Sequence, residues 1–494
     1  MTSLWLDSVT KIGAAAIETD TFEPGAEFDE VIVGGGLTGL VTGLLFARAG
    51  RKVAIVEARF LGAVTTGNTT AKVTVLQGIQ LQKIRKAMYP RIVQAYVDAN
   101  RAAFDWLISY LGKCGVPVER KDAVTFAETA DGAARVRTEY ELAAAAGLDV
   151  RLEQDAGLPF RSFGAVRLPD QAQFDPMHVL AALAADIRAL GGRIFEGIPV
   201  TGVRASQPAV VSTPHGELRA EHVVLATGHV ILDRGLYFAK VAANRSYALA
   251  FDPGTEPPDG MFINAEAPTH SIRTHGDKLL IGGNGHHVGR HTSPKRARHE
   301  LETWALERWP TAVRTHAWSA QDYIAPHHVP YVGALPRGRG RIFLATGYDK
   351  WGMTNSVAAA MTLAADILGE NTAWQRALHH RVTTPMAFAT GIGENAAVGW
   401  WYLKGYARAL GSPLQSDKPA EGQGVIGRRG LRPVGSSTVE GVTCNVSVVC
   451  PHLRAALTWN DGELSWDCPA HGSRFAPDGS RLEGPAKSGL KRLD

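Results

Sequence analysis

The pattern of apolar and polar positions near the start of the chain predicts a strand, a turn and a helix. Residues 29–34 have the composition of a buried strand, and the glycines that follow open an apolar helix that ends near Gly50. Residues 53–57 are predicted to form a second short strand. The window Val31–Gly50 has the length of a membrane span, but its glycines, its threonines and Arg48 favour the strand, turn and helix. We therefore expect no membrane span.

Similar patterns continue to about residue 370. Asp175 and Pro176 form an acidic N-cap followed by a proline in the first helical position, so a helix is expected from there to Leu190. Residues 235–335 alternate short apolar runs with turn residues, as expected of an antiparallel sheet. The other predicted elements are helices over 81–112, 135–146 and 355–368 and strands over 193–203, 222–227 and 341–346.

Composition narrows the kind of protein without identifying it. The 494 residues are 45% hydrophobic and 20% charged, which is ordinary for a globular protein with a large core. The formal net charge is only +4 and no Lys/Arg-rich block occurs, so no nucleic-acid partner is expected. The first residues lack a basic stretch leading into an apolar core, so no secretory signal is predicted and a cytoplasmic location is expected. Four cysteines in such a chain do not suggest a disulfide framework.

The first chemical signal is a glycine motif between the first strand and the first helix. Gly34, Gly36 and Gly39 are spaced as in dinucleotide-binding turns, and Glu57 ends the next strand, 18 residues after Gly39. Gly34 permits the tight turn, Gly36 lets the backbone approach a diphosphate, and the helix N-terminus favours the negative charge. Glu57 is expected to accept hydrogen bonds from ribose hydroxyls. The pattern predicts dinucleotide binding, with a glycine-rich turn in an ordinary βαβ unit as the alternative.

Four further segments resemble the D-amino-acid-oxidase-like flavoproteins, a family that includes glycine and sarcosine oxidases. The segments are Gly62–Thr74, Gly197–Val200, Ala226–Gly228 and Ala345–Thr354, and they follow one another in that family's order. The resemblance implies FAD as the cofactor, bound non-covalently because the flavin segments contain no cysteine. The residues that it implies as FAD contacts, together with the glycine motif, are Gly34, Gly36, Leu37, Thr38, Gly39, Glu57, Ala58, Arg59, Thr69, Thr70, Ala71, Val200, Thr227, Gly228, Gly347, Gly352, Met353 and Thr354.

The resemblance also suggests catalytic candidates, each with a simpler structural explanation. Arg273 corresponds to a strand position where some relatives pair an arginine with a substrate carboxylate, and the alternative is a surface arginine. Lys72 and Lys350 lie in the flavin segments, where a cation could stabilise reduced flavin, assist oxygen chemistry or belong to an ion pair behind the site. Tyr348 could form a wall of the substrate site or belong to the core. Other polar positions of the substrate half, for which solvated loops are favoured, are His286, His287, Asp322 and Tyr323.

A second chemical signal lies near the end of the chain. Cys450 and His452 are followed, after 15 residues, by Cys468 and His471. This spacing resembles the Rieske pattern, in which two thiolates bind one iron of a [2Fe–2S] cluster and two imidazoles bind the other. A Cys₂His₂ zinc site is the alternative, because its ligand types and paired spacing overlap. Pro451 and the Gly-Ser flank of the second loop favour the iron–sulfur cluster.

The surroundings of these ligands differ from those of high-potential Rieske proteins. Ala470 and the region of Ala455 lack the cysteines that form a disulfide there, and Phe475 replaces a tyrosine that donates to a ligand sulfur. Ser473, which bonds a bridging sulfide, is retained. With fewer donors we expect a potential in the lower part of the Rieske range of about −150 to +300 mV. The cluster histidines usually lie at the domain surface, so His452 and His471 are expected to be where electrons leave.

These signals together predict an α/β protein in two parts. Residues 1–410 are expected to form an FAD-dependent oxidoreductase, with a Rossmann-type FAD-binding domain and an α+β substrate part built on an antiparallel sheet. Residues 411–436, rich in Gly, Pro and Ser, are predicted as a linker, and residues 437–494 as an all-β Rieske domain. Within the first part, FAD-binding segments are expected at about 25–80, 180–230 and 335–375 and substrate segments at about 81–179 and 231–334.

The reaction is predicted partly from sites that the sequence lacks. A mononuclear iron site needs two histidines and a carboxylate, and Gly283 stands where the acid would precede His286 and His291. No second glycine motif stands between a strand and a helix, so no NAD site is predicted. Electrons are therefore expected to enter from an organic substrate. The resemblance implies a small amine or amino acid that gives hydride to the flavin, with single electrons passing to the cluster and on to an external acceptor or redox protein.

Two other functions stay open at this point. The chain could be an electron-transfer module that serves a partner protein and has no organic substrate of its own. It could also be an oxidase that uses molecular oxygen and carries the Rieske domain as an accessory.

Overall fold

The computed structural model describes residues 2–12 and 19–493, which form a large domain up to residue 411 and a small domain from residue 424. The helices are α1 Leu4–Ile12, α2 Leu37–Arg48, α3 Gln80–Ala87, α4 Pro90–Cys114, α5 Ala130–Ala145, α6 Pro176–Ala189, α7 Pro294–Arg308, α8 Gly352–Leu368, α9 Gln375–His379 and α10 Pro385–Gly411. The strands are β1 Glu27–Val33, β2 Val53–Val56, β3 Lys72–Val73, β4 Glu119–Phe126, β5 Arg151–Glu153, β6 Ala165–Gln173, β7 Arg193–Phe195, β8 Gly202–Arg204, β9 Ala209–Thr213, β10 Gly216–Leu225, β11 Ala242–Asp252, β12 Met261–Asn264, β13 His270–His275, β14 Lys278–His287, β15 Val313–Ile324, β16 Tyr331–Ala334, β17 Ile342–Thr346, β18 Gly424–Arg429, β19 Arg432–Val439, β20 Val442–Ser447, β21 Thr458–Asn460, β22 Ser465–Asp467, β23 Arg474–Phe475 and β24 Arg481–Glu483.

The first sheet of the large domain has the strand order β16-β17-β10-β1-β2-β7. β1 pairs in parallel with β2 and with β10, and β10 pairs in parallel with β17, so the carboxyl ends of these strands meet at one edge. Gly34, Glu57, Ala226 and Gly347 each follow directly after one of the four strands. Ligands of α/β proteins bind at such an edge, so the strand order itself places a candidate site there.

The second sheet of the large domain has the order β15-β11-β14-β13-β12-β4-β6-β3. Its β11, β13, β14 and β15 are paired antiparallel, which confirms the sheet predicted over residues 235–335. Apolar side chains of one face pack with α7 into a buried core that includes Phe251, Phe262, Ile281 and Leu301. This well-packed sheet lies beside the carboxyl edge of the parallel strands of the first sheet.

Several predicted elements have different bounds in the structure. The helix predicted over 81–112 is divided into α3 and α4, because Pro90 starts a new helix at its first position. The strand predicted over 193–203 is divided into β7 and β8, and Gly197 in the loop between them has a φ of +71°. The helix start at Asp175 is confirmed, since its carboxylate accepts a hydrogen bond from the Met177 backbone N–H at 2.8 Å.

The small domain contains a three-stranded sheet, β18-β19-β20, and a four-stranded sheet, β21-β22-β23-β24. β18 and the first half of β19 lie within residues 411–436, so the prediction of a linker over that whole stretch is wrong. The glycines there serve tight packing and turning instead. Gly430 makes the turn between the two strands with a φ of +61°, and a Cβ at Gly435 would lie 2.4 Å from a methyl carbon of Val448.

α10 connects the two domains and also contacts both. Tyr402 and Tyr406 donate hydrogen bonds to the Leu453 and Arg454 carbonyls of the small domain, at 2.9 and 2.6 Å. Within residues 2–12 and 19–493, neither α10 nor any other helix has both the length and the apolar character needed to cross a bilayer.

A buried network of charged side chains holds the two domains together. Arg245 of β11 contacts Glu463 at 2.5 Å and Glu483 at 3.0 Å, both in the small domain. Arg474 contacts Glu483 and Asp467 at 3.1 Å each, and also Glu463. All five side chains are less than a tenth exposed. Although burial raises the pKa of Glu463, the two guanidinium groups hold it well below its usual range.

We predict that Glu463→Gln destabilises the folded protein by about 3 kcal/mol or more, because it leaves buried guanidinium charge uncompensated. Denaturant unfolding measures the free energy of unfolding of the wild type and of this variant. Glu440→Gln, which changes an exposed carboxylate, is the matched control. Since the pKa of Glu463 is depressed in the folded state, its stabilisation is present above the unfolded carboxyl pKa of about 4.3 and is lost as the pH falls below it. Equal stability of Glu463→Gln and Glu440→Gln would contradict this role.

Candidate functional site

A cavity of about 470 Å³ opens at the carboxyl edge of the parallel sheet. It lies where the strand order predicts a ligand site. The FAD contacts expected from the sequence that line it are Gly34, Gly36, Leu37, Thr38, Glu57, Ala58, Arg59, Thr69, Val200, Thr227, Gly228, Gly347, Gly352 and Met353. Tyr348 and Lys350 line it as well.

The glycine turn leaves room that only glycine provides. Gly34 has a φ of +114°, and a Cβ there would lie 2.4 Å from the Ala226 carbonyl oxygen. A Cβ at Gly39 would lie 1.9 Å from the Gly34 carbonyl oxygen, so only glycine lets the helix pack this closely under the turn. Gly39 itself does not line the cavity. Glu57 accepts hydrogen bonds from the backbone N–H groups of Gly35 and Arg59, at 2.7 and 2.9 Å. The edge therefore has the bare backbone that a bound diphosphate requires.

Other predicted contacts support the cavity from behind. Thr354 does not line it, and its hydroxyl donates to the Asn100 side-chain oxygen at 2.6 Å. Thr70 and Ala71 do not line it either, and their carbonyls accept hydrogen bonds from the Arg273 guanidinium at 2.5 and 3.0 Å. These residues lie beside cavity-lining neighbours, but their polar atoms are already paired with the protein.

Two catalytic candidates lie outside the cavity. Arg273 is fully buried, donates to backbone carbonyls and stacks on Trp5, with 5.4 Å from its guanidinium carbon to the ring centre. This placement does not fit the expected role as partner of a substrate carboxylate, because Arg273 does not line the cavity and its guanidinium is bound to backbone carbonyls. The Lys72 ammonium donates to the Ser271 hydroxyl at 2.6 Å and to the Phe262 carbonyl. Both side chains thus hold β13 against β3 and the segment that precedes it.

The polar end of the cavity is formed by β15 and the segment before α8. Tyr348 and Thr38 share a hydrogen bond of 2.9 Å between their hydroxyl oxygens. Asp322 is half-buried, one of its oxygens is covered and has no hydrogen-bond partner, and desolvation raises its pKa to about 7. Burial lowers the pKa of Lys350, while the nearby Asp322 opposes that shift. A carboxyl group that titrates near neutral pH therefore lines the cavity beside a cation.

The structure corrects the preference for solvated loops at all four polar positions, because His286 and His287 belong to β14. Asp322 and Tyr323 belong to β15 and line the cavity, whereas His286 and His287 do not. Sequence reasoning missed a second set of lining residues altogether, because they belong to the small domain. They are Arg481, Leu482, Glu483, Gly484, Lys487, Ser488 and Gly489. No local pattern signals them, since only the docking of the two domains brings them to the cavity.

The four residues of the second signal come together at one end of the small domain. Cys450 and Cys468 are both 1% exposed, and the rings of His452 and His471 lie 5.1 Å apart between centroids. The Nδ1 atoms of both histidines are buried without a hydrogen-bond partner. Burial lowers the pKa of His471 to about 3, which keeps its ring neutral and able to bind metal. The residues fit a cluster in which two thiolates and two imidazoles bind different irons.

A single zinc ion fits this site less well. Among the described residues, no group of three or more His, Cys, Asp or Glu side chains converges on one ion position. A structural zinc site needs four such ligands around one ion, whereas each iron of a Rieske cluster takes only two from the protein. The Ser473 hydroxyl is placed to donate a hydrogen bond to the Cys450 sulfur. Phe475 is fully buried against the two cysteines and has no hydrogen-bond donor to offer them.

The two histidines face the large domain, not solvent. Nε2 of His452 lies 2.9 Å from an oxygen of Asp233, and the His452 side chain is only 5% exposed. The ring of His229 lies 6.4 and 6.5 Å from the rings of His452 and His471, and 5.3 Å from that of Tyr323, which lines the cavity. The expectation that both histidines form an exposed exit for electrons is therefore wrong. Docking of the small domain covers them.

Comparison with known proteins accounts for both sites. The profile of the family FAD dependent oxidoreductase matches residues 29–366, and that of the Rieske [2Fe-2S] domain matches residues 434–494. A Bacillus subtilis (strain 168) protein that bears the name Rieske 2Fe-2S iron-sulfur protein YhfW is 29% identical over 504 residues, which cover 99% of this chain and 97% of that protein.

Two glycine oxidases are similar to the large domain. The glycine oxidase of Bacillus licheniformis is 23% identical over 358 residues, which cover 69% of this chain and 93% of that enzyme. The crystal structure of glycine oxidase from Geobacillus kaustophilus has a TM-score of 0.61 at 20% identity, covering 73% of this chain and 99% of that one. The chain therefore belongs to the FAD dependent oxidoreductase family and carries a Rieske [2Fe–2S] domain, so its cofactors are FAD and a Rieske cluster.

Proposed function

We propose that the chain oxidises a small amine or amino acid at its flavin and passes the electrons to its own Rieske cluster, and from there to an external acceptor or redox protein. FAD supplies a two-electron acceptor for substrate hydride, and the cluster takes up electrons one at a time. One observation carries the proposal: the two ligand histidines are docked against the large domain, one ring away from the wall of the cavity.

Packed aromatic rings support internal transfer. Tyr323 lines the cavity, His229 contacts it edge-on, and His229 in turn faces both ligand histidines. Electron tunnelling weakens with distance and with empty space along the path, so packed side chains favour transfer between the two sites. Asp233 steadies His452 through Nε2, as outer carboxylates commonly steady metal-binding histidines.

The polar end of the cavity supports an amine substrate. An amine must lose its proton before its neighbouring carbon can give up hydride, because the lone pair drives that step. Asp322 lines the cavity and has a pKa near 7, so its carboxylate form can accept this proton. The similarity to glycine oxidases agrees with such a substrate class.

The same features weigh against the two alternatives. A pure electron-transfer module needs the cavity for its flavin but has no need of a titratable carboxyl group there beside Lys350. An oxidase that hands its electrons to oxygen has no need of ligand histidines packed against the cavity wall. Both alternatives predict different behaviour when the cluster is removed.

We predict that secondary amines or amino acids, added without oxygen, bleach the flavin absorption first and the cluster absorption afterwards. In Cys468→Ser protein that retains FAD, the flavin should still bleach, because only a cluster ligand is removed, and single-electron transfer to an external acceptor should disappear. Cys444→Ser, outside the site, is the matched control and should behave as wild type. Visible absorption and the spin signal of the reduced cluster provide the readouts.

Two results would reject the proposal. If no amine bleaches the flavin but NADH or a reduced protein carrier does, the chain is an electron-transfer module. If Cys468→Ser turns over with oxygen at the wild-type rate, the chain is an oxidase with an accessory domain.

We also predict that the rate of flavin reduction rises with pH through about 7, the pKa of Asp322. The carboxylate form, populated above that pKa, accepts the substrate proton. The charged groups near it are Lys350, Asp349 and Lys83, and none of them is removed in the test variant. Asp322→Asn should abolish this limb of the pH profile in rapid-mixing experiments, whereas exposed Asp277→Asn should keep it. An unchanged limb in Asp322→Asn would exclude the carboxyl group as the proton acceptor.

The cluster potential expected from the sequence stays a prediction. Because Phe475 offers no donor to the buried cysteines, we expect a midpoint in the lower part of the range of about −150 to +300 mV. Phe475→Tyr should raise the midpoint by adding a hydroxyl donor, and Phe475→Leu, which adds none, controls for packing. A redox titration that places the wild type near the upper end of the range would refute this expectation.

A further inference from the structure

We infer that the small domain completes the FAD site, with Arg481 and Lys487 binding the diphosphate of FAD. This inference deepens the proposed function, because it assigns cofactor-binding residues to the Rieske domain. Its basis is the cavity itself: seven residues between Arg481 and Gly489 line the same space as the glycine turn and Glu57. Arg481 is also close enough to Glu57 for the two side chains to interact electrostatically.

The stretch is firmly held where it lines the cavity. Glu483 is clamped between Arg245 of the large domain and Arg474 of the small one, at 3.0 and 3.1 Å. The Ala486 backbone N–H donates to the Ser473 hydroxyl at 3.0 Å, and the Arg481 guanidinium donates to the Ala486 carbonyl at 3.1 Å. These contacts fix the backbone on both sides of the segment that carries Lys487, and they hold the Arg481 side chain in place.

The charges of the cavity explain why these two cations matter. The lining contains the carboxyl groups of Glu57 and Asp322, which repel a diphosphate when they are ionised, and that of Glu483, whose charge is paired with Arg245 and Arg474. Of the cations in the lining, Arg59 and Lys350 come from the large domain, and Arg481 and Lys487 come from the small one. Burial lowers the pKa of Arg481 and the Glu57 charge opposes that shift. Without the small domain, half of the lining cations would be missing.

The comparison with glycine oxidase indicates that the small-domain side of the cavity is an addition to the oxidoreductase fold. The fold of the Geobacillus kaustophilus enzyme is matched over 99% of its length by 73% of this chain, so much of this chain has no counterpart there. The FAD dependent oxidoreductase profile also ends at residue 366, well before Arg481. The small domain thus adds binding residues to a fold that exists without it.

The test is a titration of the flavin-free, cluster-containing full chain with FAD, followed by flavin fluorescence. Arg481→Gln should weaken FAD binding about tenfold or more, as expected for a charge-assisted hydrogen bond. Lys487 is exposed, so Lys487→Gln should weaken binding by about threefold to fivefold. The wild-type affinity should fall more steeply with added salt than that of the double variant. Lys491→Gln, an exposed cation outside the lining, is the matched control and should bind as wild type.

The cluster absorption of each variant reports whether the small domain is folded. Unchanged FAD affinity in the double variant with an intact cluster would overturn the inference, and so would an equal loss in Lys491→Gln. If Arg481→Gln loses its cluster, the exposed Lys487→Gln decides alone. The titration involves no substrate, so failure of amine oxidation with the expected FAD affinities would count against the proposed function and not against this binding site.

Discussion

The docking of the small domain depends on one buried network of charges. Arg245 and Arg474 share Glu463 and Glu483, with Asp467 bound to Arg474, in a space that excludes water. Taking five charged groups out of water costs roughly as much free energy as their mutual attraction returns. The value of such a network lies in its geometry, because any other orientation of the small domain would separate Arg245 from its two carboxylate partners. It therefore fixes a single docked position.

That position determines both ends of the proposed electron path. On one side, Glu483 anchors the stretch that lines the cavity, and on the other the same domain turns His452 and His471 toward His229. Small contacts follow the same geometry. The Gly472 carbonyl accepts a hydrogen bond from the Gln321 amide at 2.9 Å, and a Cβ on Gly472 would lie 2.3 Å from Ala243. Only a glycine at position 472 lets the cluster loop approach β11 this closely.

Sequence reasoning succeeded where the chemistry is local. The glycine turn and the Cys-His pairs are recognisable because their spacing is imposed by strand, turn and ligand geometry within a few residues. It failed where the role of a residue depends on distant partners. Arg273 has the right sequence neighbourhood for a substrate site, yet it is buried on Trp5. Arg481 has no motif around it at all, and only the docked domain brings it to the cavity.

The predictions of a linker and of exposed cluster histidines were wrong for a related reason. Glycine-rich sequence is typical both of flexible linkers and of strands that pack closely, and only the neighbours of Gly435 distinguish the two. Surface histidines are typical of Rieske domains taken alone, whereas here another domain covers them.

The covered histidines also constrain how electrons leave. An external acceptor that used the histidine face would require the small domain to undock, which would expose the charged network to water. Charged groups are well hydrated when separated, so a polar interface of this kind can open at lower cost than an apolar one of the same size. Bound FAD opposes that opening if it contacts both domains, because a ligand that binds only the docked state stabilises that state in proportion to its affinity. The tighter FAD is held across the two domains, the more an acceptor must approach the cluster from a face other than that of His452 and His471.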